Sequence, residues 1–326
     1  MILDILSIAV GLAALFIGGE WLVRSASRLA TSFRVPSLII GLTIVSLGTS
    51  APELLVSVSA ALGGSSDIAL GNVLGSNVAN IGLILGLAGL IYPLTVHEQL
   101  IRREIPVMIT VSALLWLMCA DGEIGQLEGL ALVLGYAVFT FALYYFREKP
   151  PSPKEQAAIG EIEEEVARIQ KPEPPNSPGI NRLRETGVLV VGLVLLAVGA
   201  QFTVNGAVNI ARALGISELV IGLTLVAVGT SLPEIVTSVV ASIRRHSDIA
   251  VGNVIGSNIA NILAILGITA FIRPVQVAPE LNSFEFPAMM FFAILVVPFA
   301  WNRQLGRWES AAFLAAYGVF VAGTLL

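Results

Sequence analysis

The chain has 326 residues, of which 56% are hydrophobic and 13% charged, with a mean hydropathy of +0.86 and a formal net charge of −5. A soluble globular domain carries nearer a quarter charged residues, so the composition excludes an ordinary soluble enzyme and describes an all-α polytopic membrane protein. The single cysteine, Cys119, excludes a disulfide framework within the chain and a multi-cysteine metal site, and no basic face suited to nucleic acid is present.

Apolar runs long enough to cross a bilayer, about 17–25 residues, are predicted at 3–24, 36–62, 68–91, 104–120 and 127–146. The first run lacks a basic leader and a clear cleavage site, so it reads as a retained helix. Residues 147–181 are polar and carry seven prolines. Within them Ile159, Ile162, Val166 and Ile169 share one helical face, so a short amphipathic helix is expected there. Its run of three glutamates reads as a solvated surface, with a regulatory cation as the alternative. Five more spans follow at 183–212, 217–243, 249–272, 285–301 and 308–326. His97 and His246 fall between spans, so no serine–histidine pair is expected inside the membrane and the chain is not read as an enzyme. Trp21, Trp116, Trp301 and Trp308 lie near span ends, as interfacial anchors do.

The stretch 41–93 is written again at 222–274 with a constant offset of 181, and well over half the positions are identical. The offset extends beyond it: Gly11 and Gly18 match Gly192 and Gly199, Glu104 matches Glu285, and Tyr136 matches Tyr317. The chain is therefore two copies of a five-helix unit, 1–146 and 182–326, joined by the linker 147–181. Internal repetition of this kind marks many secondary transporters. Five is odd, so the second copy is expected to enter the membrane from the opposite side. The arginines agree. Arg24, Arg28, Arg34, Arg102, Arg103, Arg244, Arg245, Arg303 and Arg307 fall on the linker's side, and only Arg212 and Arg273 on the other. Positive charge marks the cytoplasmic side, which puts the linker in the cytoplasm and both termini outside. Ten transmembrane helices in two inverted-topology repeats of five are the predicted fold.

Glu53 and Glu234 fall near the middles of the second and seventh spans. A carboxylate at that depth costs several kcal/mol unless it meets a cation, a partner or water. No Lys or Arg lies in any predicted span core, which leaves a proton or a bound cation. The neighbours favour the cation. Thr49, Glu53 and Ser57 are spaced four apart, with Ser46 and Ser50 beside them, and Thr230, Glu234 and Ser238 repeat the pattern. Asn72, Ser76 and Asn80 form a second stripe, repeated by Asn253, Ser257 and Asn261. Every candidate ligand is oxygen, which suits hard cations such as Ca2+ or Na+ and not Zn2+ or Cu+. Hydrogen bonding between helices is the bland alternative for any single Ser or Asn. Pro52 and Pro233 are expected to break their helices and release carbonyls near Ser46–Gly48 and Ala227–Gly229. Gly71, Gly75 and Ala79 give the third span a smooth packing face, Asp67 and Asp248 read as N-caps, and Glu20 reads as interfacial.

At GTSAPE (48–53), GNVLGSNVAN (71–80), GTSLPE (229–234) and GNVIGSNIAN (252–261) the sequence resembles the sodium/calcium exchanger family in its bacterial and archaeal branch. The resemblance implies that helices 2, 3, 7 and 8 form the ion-binding core and that Ca2+ and Na+ compete there in alternating access. By motif position it implies Thr49, Ser50, Glu53, Ser76, Thr230, Ser231, Glu234 and Ser257 as ligands, with Asn80 and Asn261 at the centre and the backbone carbonyls of Ser46 and Ala227. Some members carry an aspartate where this chain has Asn80 or Asn261; here two carboxylates are left, enough for one Ca2+ or two Na+. The expected function is Na+-driven Ca2+ export across the cell (inner or plasma) membrane. Its substrates would be the two ions, its surroundings the lipid bilayer, with no cofactor and no nucleic acid. A Ca2+/H+ antiporter, a cation channel and a non-transporting scaffold or sensor are the rivals.

Overall fold

In the computed structural model the chain is described over residues 2–33, 35–146, 181–215 and 227–324. The amphipathic helix and glutamate run expected in the linker lie outside those residues. The described chain is helical apart from four two-residue strands. The first copy holds α1 (Ile2–Phe33), α2 (Ser37–Thr49), α3 (Ala51–Leu62), α4 (Ser66–Ile91), α5 (Leu100–Asp121) and α6 (Gln126–Tyr145). The second holds α7 (Arg182–Ala213), α8 (Ala227–Thr230), α9 (Leu232–Ile243), α10 (Ser247–Ile272), α11 (Glu285–Ala300) and α12 (Arg307–Thr324). Seven described helices are long and apolar enough to cross a membrane, and α2 with α3, bent by 45° at their junction, makes an eighth. The charged first turn of α12 and the undescribed residues 216–226 keep the other expected spans out of that count.

The 181 offset survives in the backbone. α4 and α10 begin and end at equivalent residues, and each carries a π-helical turn, Asn80–Leu85 and Asn261–Leu266. Strands β1 (Leu94–Thr95), β2 (Glu123–Ile124), β3 (Val275–Gln276) and β4 (Gln304–Leu305) pair antiparallel as β1 with β4 and β2 with β3. Each copy's first strand thus pairs with the other's second, a reciprocal exchange of the kind a two-fold relation gives. The long helices α1 and α7 run antiparallel. Arg28 and Ser25 near the end of α1 meet Glu185 at the start of α7, while Asp4 and Ser7 meet Asn209 and Phe202 at its end. Glycine permits the approach: a Cβ on Gly18 would lie 2.8 Å from the Gly192 carbonyl, and one on Gly192 would lie 2.9 Å from that of Gly18. At about 48 Å, 32 residues at 1.5 Å each, α1 outreaches a hydrocarbon core of about 30 Å and runs well past the predicted end at residue 24. The most enclosed spans are α4 and α10, 72% and 83% buried over their apolar windows, against 22% for α1 and α6. The repeated motif therefore lies at the centre of the protein.

Helix starts differ from expectation at two places. Asp67 and Asp248 are not N-caps; each is the second residue of its helix. The helices open two residues earlier because the Ser65 and His246 carbonyls already accept from residues three and four ahead. Asp248 instead accepts the Ser37 hydroxyl at 2.9 Å and pairs with His97 at 3.0 Å. Glu20, expected at the interface, pairs with Arg244 at 2.7 Å. Gly252 and Gly256 pack closely on the backbone of Leu38 and Leu42, as a smooth face requires. Gly71 and Gly75, the glycines expected to pack, have nothing within 4 Å of where a Cβ would stand among the described residues.

Candidate cation site

Two broken helices form the site. Pro52 and Pro233 sit in the first turn of α3 and α9, where a missing N–H costs nothing, but each deprives the residue four back of its helical donor. The first helix bends at Ser50 (ψ 11°), and Ser231 has the same non-helical backbone (ψ 5°). This leaves Gly48, one of the three carbonyls expected to be released, without its helical partner. The Ser46 carbonyl, expected as a ligand, accepts the Ser50 N–H at 3.0 Å and has the Thr49 hydroxyl 3.2 Å away. That hydroxyl is also 3.2 Å from Asn253 Oδ1. It has one proton, so it serves one acceptor at a time. Ala227 opens the described part of the second broken helix, and Thr230 ends α8 beside the break.

At the breaks the copies exchange partners. Ser50 donates to Glu234 Oε1 at 2.8 Å, and Ser231 donates to Glu53 Oε1 at 3.2 Å. Ser50 also lies 3.2 Å from the Ser257 hydroxyl, and Ser76 is buried at the matching position of α4. Both glutamates are at most 2% exposed. Each has one oxygen held by a serine of the other copy, and Oε2 of each has no donor among the described residues.

Four asparagines cross the centre where α4 and α10 meet. Asn80 Nδ2 donates to Asn258 Oδ1, and Asn261 Nδ2 donates to Asn77 Oδ1, both at 3.1 Å. The partners are anchored in turn: Asn77 Nδ2 reaches the Asn258 carbonyl at 3.4 Å, and Asn258 Nδ2 reaches Met108 Sδ at 3.4 Å. With one N–H of each engaged in this way, Asn80 and Asn261 leave Oδ1 buried and without a donor among the described residues. Sequence reasoning missed Asn77 and Asn258. Their repetition in the same motif, three residues before Asn80 and Asn261, was the available signal. The expected stripe residues Asn72 and Asn253 have a different role. They donate to Ser57 and Ser238 at 2.9 and 3.0 Å and brace α4 against α3 and α10 against α9.

Four symmetric oxygens thus lie buried without a hydrogen bond among the described residues: Glu53 Oε2, Glu234 Oε2, Asn80 Oδ1 and Asn261 Oδ1. Buried acceptors are almost always paired, so four in one repeated motif point to a ligand that is not a hydrogen-bond acceptor. Among the described residues no three of His, Cys, Asp and Glu gather as a metal cluster; hydroxyl and amide oxygens make up the rest of this set. Two carboxylates with neutral oxygens suit a hard cation.

The model of the sodium/calcium exchanger protein family matches residues 3–145 and 185–326. The chain belongs to the sodium/calcium exchanger family. It is therefore a membrane antiporter of that family. This exchanger-family chain is 35% identical to the inner membrane protein YrbG of Escherichia coli, over 99% of this chain and 97% of that protein. It is 33% identical to the sodium/calcium exchanger MaX1 of Methanosarcina acetivorans, over 98% of this chain and 97% of that one. The solved structure of the sodium–calcium exchanger NCX_Mj, soaked with zero Na+ and Ca2+, superposes with a TM-score of 0.83 at 31% identity, over 99% of both chains. The all-helical arrangement of the family is thus the arrangement of this chain.

Proposed function

We propose that the exchanger exports Ca2+ from the cytoplasm by admitting Na+, through alternating access at one mid-membrane cluster shared by the two copies. The observation that carries this reading is the set of four buried oxygens without donors, a carboxylate and an amide from each copy. Two carboxylates balance one Ca2+ or two Na+, so either load neutralises the cluster and both together do not. Glu53, Glu234, Asn80 and Asn261 would contact the ions directly, with Thr49, Ser50, Ser76, Thr230, Ser231 and Ser257 completing the shell and the Ser46 and Ala227 carbonyls at its ends. The antiparallel run of α1 and α7 supports ten spans in two inverted repeats, with α2 to α4 and α8 to α10 as the ion-binding core. The clustering of arginines on the linker's side supports a cytoplasmic linker, outward termini and a place in the cell membrane.

Exchange of a cation for protons is the competing reading, because the same bare carboxylate oxygens could take protons. Proteoliposomes decide between them. Uptake of radiolabelled Ca2+ is measured with outward Na+, K+ and H+ gradients imposed one at a time. The proposal requires uptake with the Na+ gradient alone. Uptake that follows the H+ gradient and ignores Na+ would overturn it.

A further inference from the structure

Away from the cation site the two copies differ sharply in one groove, between the start of α5 and the end of α6 and, in the second copy, between α11 and α12. In the second copy the groove is filled. The Phe284 ring stacks on Phe320 with 5.5 Å between centroids and 2° between planes. It lies so close to Gly323 that a Cβ there would be 2.6 Å from it. By the 181 offset the equivalents in the first copy are Arg103, Phe139 and Ala142. Arg103 is exposed and donates to the Phe146 carbonyl at 3.0 Å. A cavity of about 330 Å³ remains where the second copy has its phenylalanine plug.

That cavity has two chemistries. Val107, Phe139, Ala142 and Leu143 supply an apolar wall. Glu104 and Arg103 supply charge. Glu104 is 2% exposed; its Oε1 accepts from Gln99 at 2.8 Å, and its Oε2 has no donor among the described residues. A buried carboxyl oxygen in that state calls for a hydrogen-bond donor, and a cationic N–H is the strongest one available. The adjacent guanidinium calls for an anion, which it can hold through several N–H groups. The volume is at the lower end of small-molecule sites, about 300–1,000 Å³. A lone metal ion would leave Arg103 and the apolar wall without a role, and a purely anionic lipid would leave Glu104 unpaired.

We propose that this cavity binds the headgroup of an amine-bearing zwitterionic phospholipid, phosphatidylethanolamine. Its ammonium donates to Glu104 Oε2, its phosphate takes Arg103, and its acyl chains lie along the Val107–Phe139–Leu143 wall. A choline headgroup carries positive charge but no N–H, so the site discriminates against it. The second copy, plugged by Phe284, has no such site.

The test uses the full-length protein in detergent with equal amounts of phosphatidylethanolamine, phosphatidylcholine and phosphatidylglycerol of matched acyl chains. Lipid retained on stepwise delipidation is counted by native mass spectrometry. Phosphatidylethanolamine is expected to be retained about tenfold over phosphatidylcholine, the factor one charge-assisted hydrogen bond supplies. Arg103→Phe, which copies the plug of the second repeat, and Glu104→Gln are each expected to abolish the preference. Should Glu104→Gln fail to fold, Arg103→Phe and Ala142→Trp read the same loss by filling the groove. Equal retention of the choline lipid, preferential retention of the glycerol lipid, or unchanged retention in Arg103→Phe would overturn the proposal.

Discussion

The two copies agree at the centre of the protein and part company at its two faces. At the centre, Ser50–Glu234 mirrors Ser231–Glu53, and Asn80–Asn258 mirrors Asn261–Asn77. At the faces, Arg245 and Arg303 adopt φ of 60° where the first copy has Gly64 and Gly122 at 82° and 89°. Left-handed backbone disfavours a side chain with a Cβ by about 1–2 kcal/mol. The second copy keeps arginine in those turns all the same, at the positions where the first copy has glycine. Arg303 pairs there with Glu98, and Arg245 lies over the Tyr92 ring at 5.3 Å. The centre thus keeps the two copies alike, while the turns at the faces differ in residue and in partner.

The largest break in that symmetry should come from the glutamates. Glu53→Gln and Glu234→Gln are each expected to lower Na+-driven Ca2+ flux by at least about a hundredfold, as losing one partner of a buried charged cluster does. The double variant should be scarcely worse than either single one, because the residues act as a unit. A variant that kept near-normal flux while its mirror lost it would show that the copies are not equivalent. Next comes the α1–α7 contact. Gly18→Val should destabilise by about 1–3 kcal/mol through overpacking, and Gly192→Val by a similar amount, read as the loss of folded protein on heating. Asn77→Ala and Asn258→Ala should each weaken Ca2+ binding by up to about tenfold, the worth of one amide hydrogen bond, with equal effects if the crossed pairs are equivalent.

The smallest effect sharpens the asymmetry at the faces. Burial lowers the pKa of His246 from its ordinary 6.5, whereas the first copy has Ser65 in its place. The folded protein then holds His246 neutral where the unfolded chain would protonate it. Stability is unaffected above about pH 6.5 and falls as pH drops below it. His246→Ser should therefore lose less thermal stability than the parent between pH 7.5 and pH 5, and an identical loss would contradict the account.

Much of this architecture was legible in the sequence because membranes restrict it. The repeat, the broken helices at Pro52 and Pro233, and the buried carboxylates followed from hydropathy, offset and the cost of charge in lipid. What was not legible depended on side-chain direction across the copy boundary. Spacing put Asn72, Ser76 and Asn80 on one stripe, but Asn72 turns to Ser57 while Asn80 is held by Asn258, a residue 178 positions away. Asn77, on a different stripe, became visible only with that crossing. The start of the helices ahead of Asp67 and Asp248 was likewise a matter of backbone carbonyls at Ser65 and His246, which no side-chain pattern reports.

On the proposed mechanism the two copies share one Ca2+ site that Na+ also fills. Calorimetric titration of Ca2+ into the purified protein, repeated at increasing Na+ and with Glu53→Gln and Glu234→Gln, tests it most directly. One Ca2+ per chain is expected, with an affinity that falls as Na+ rises and with loss of that binding in either variant. Two independent Ca2+ sites, one surviving in each variant, or Ca2+ binding indifferent to Na+, would contradict it.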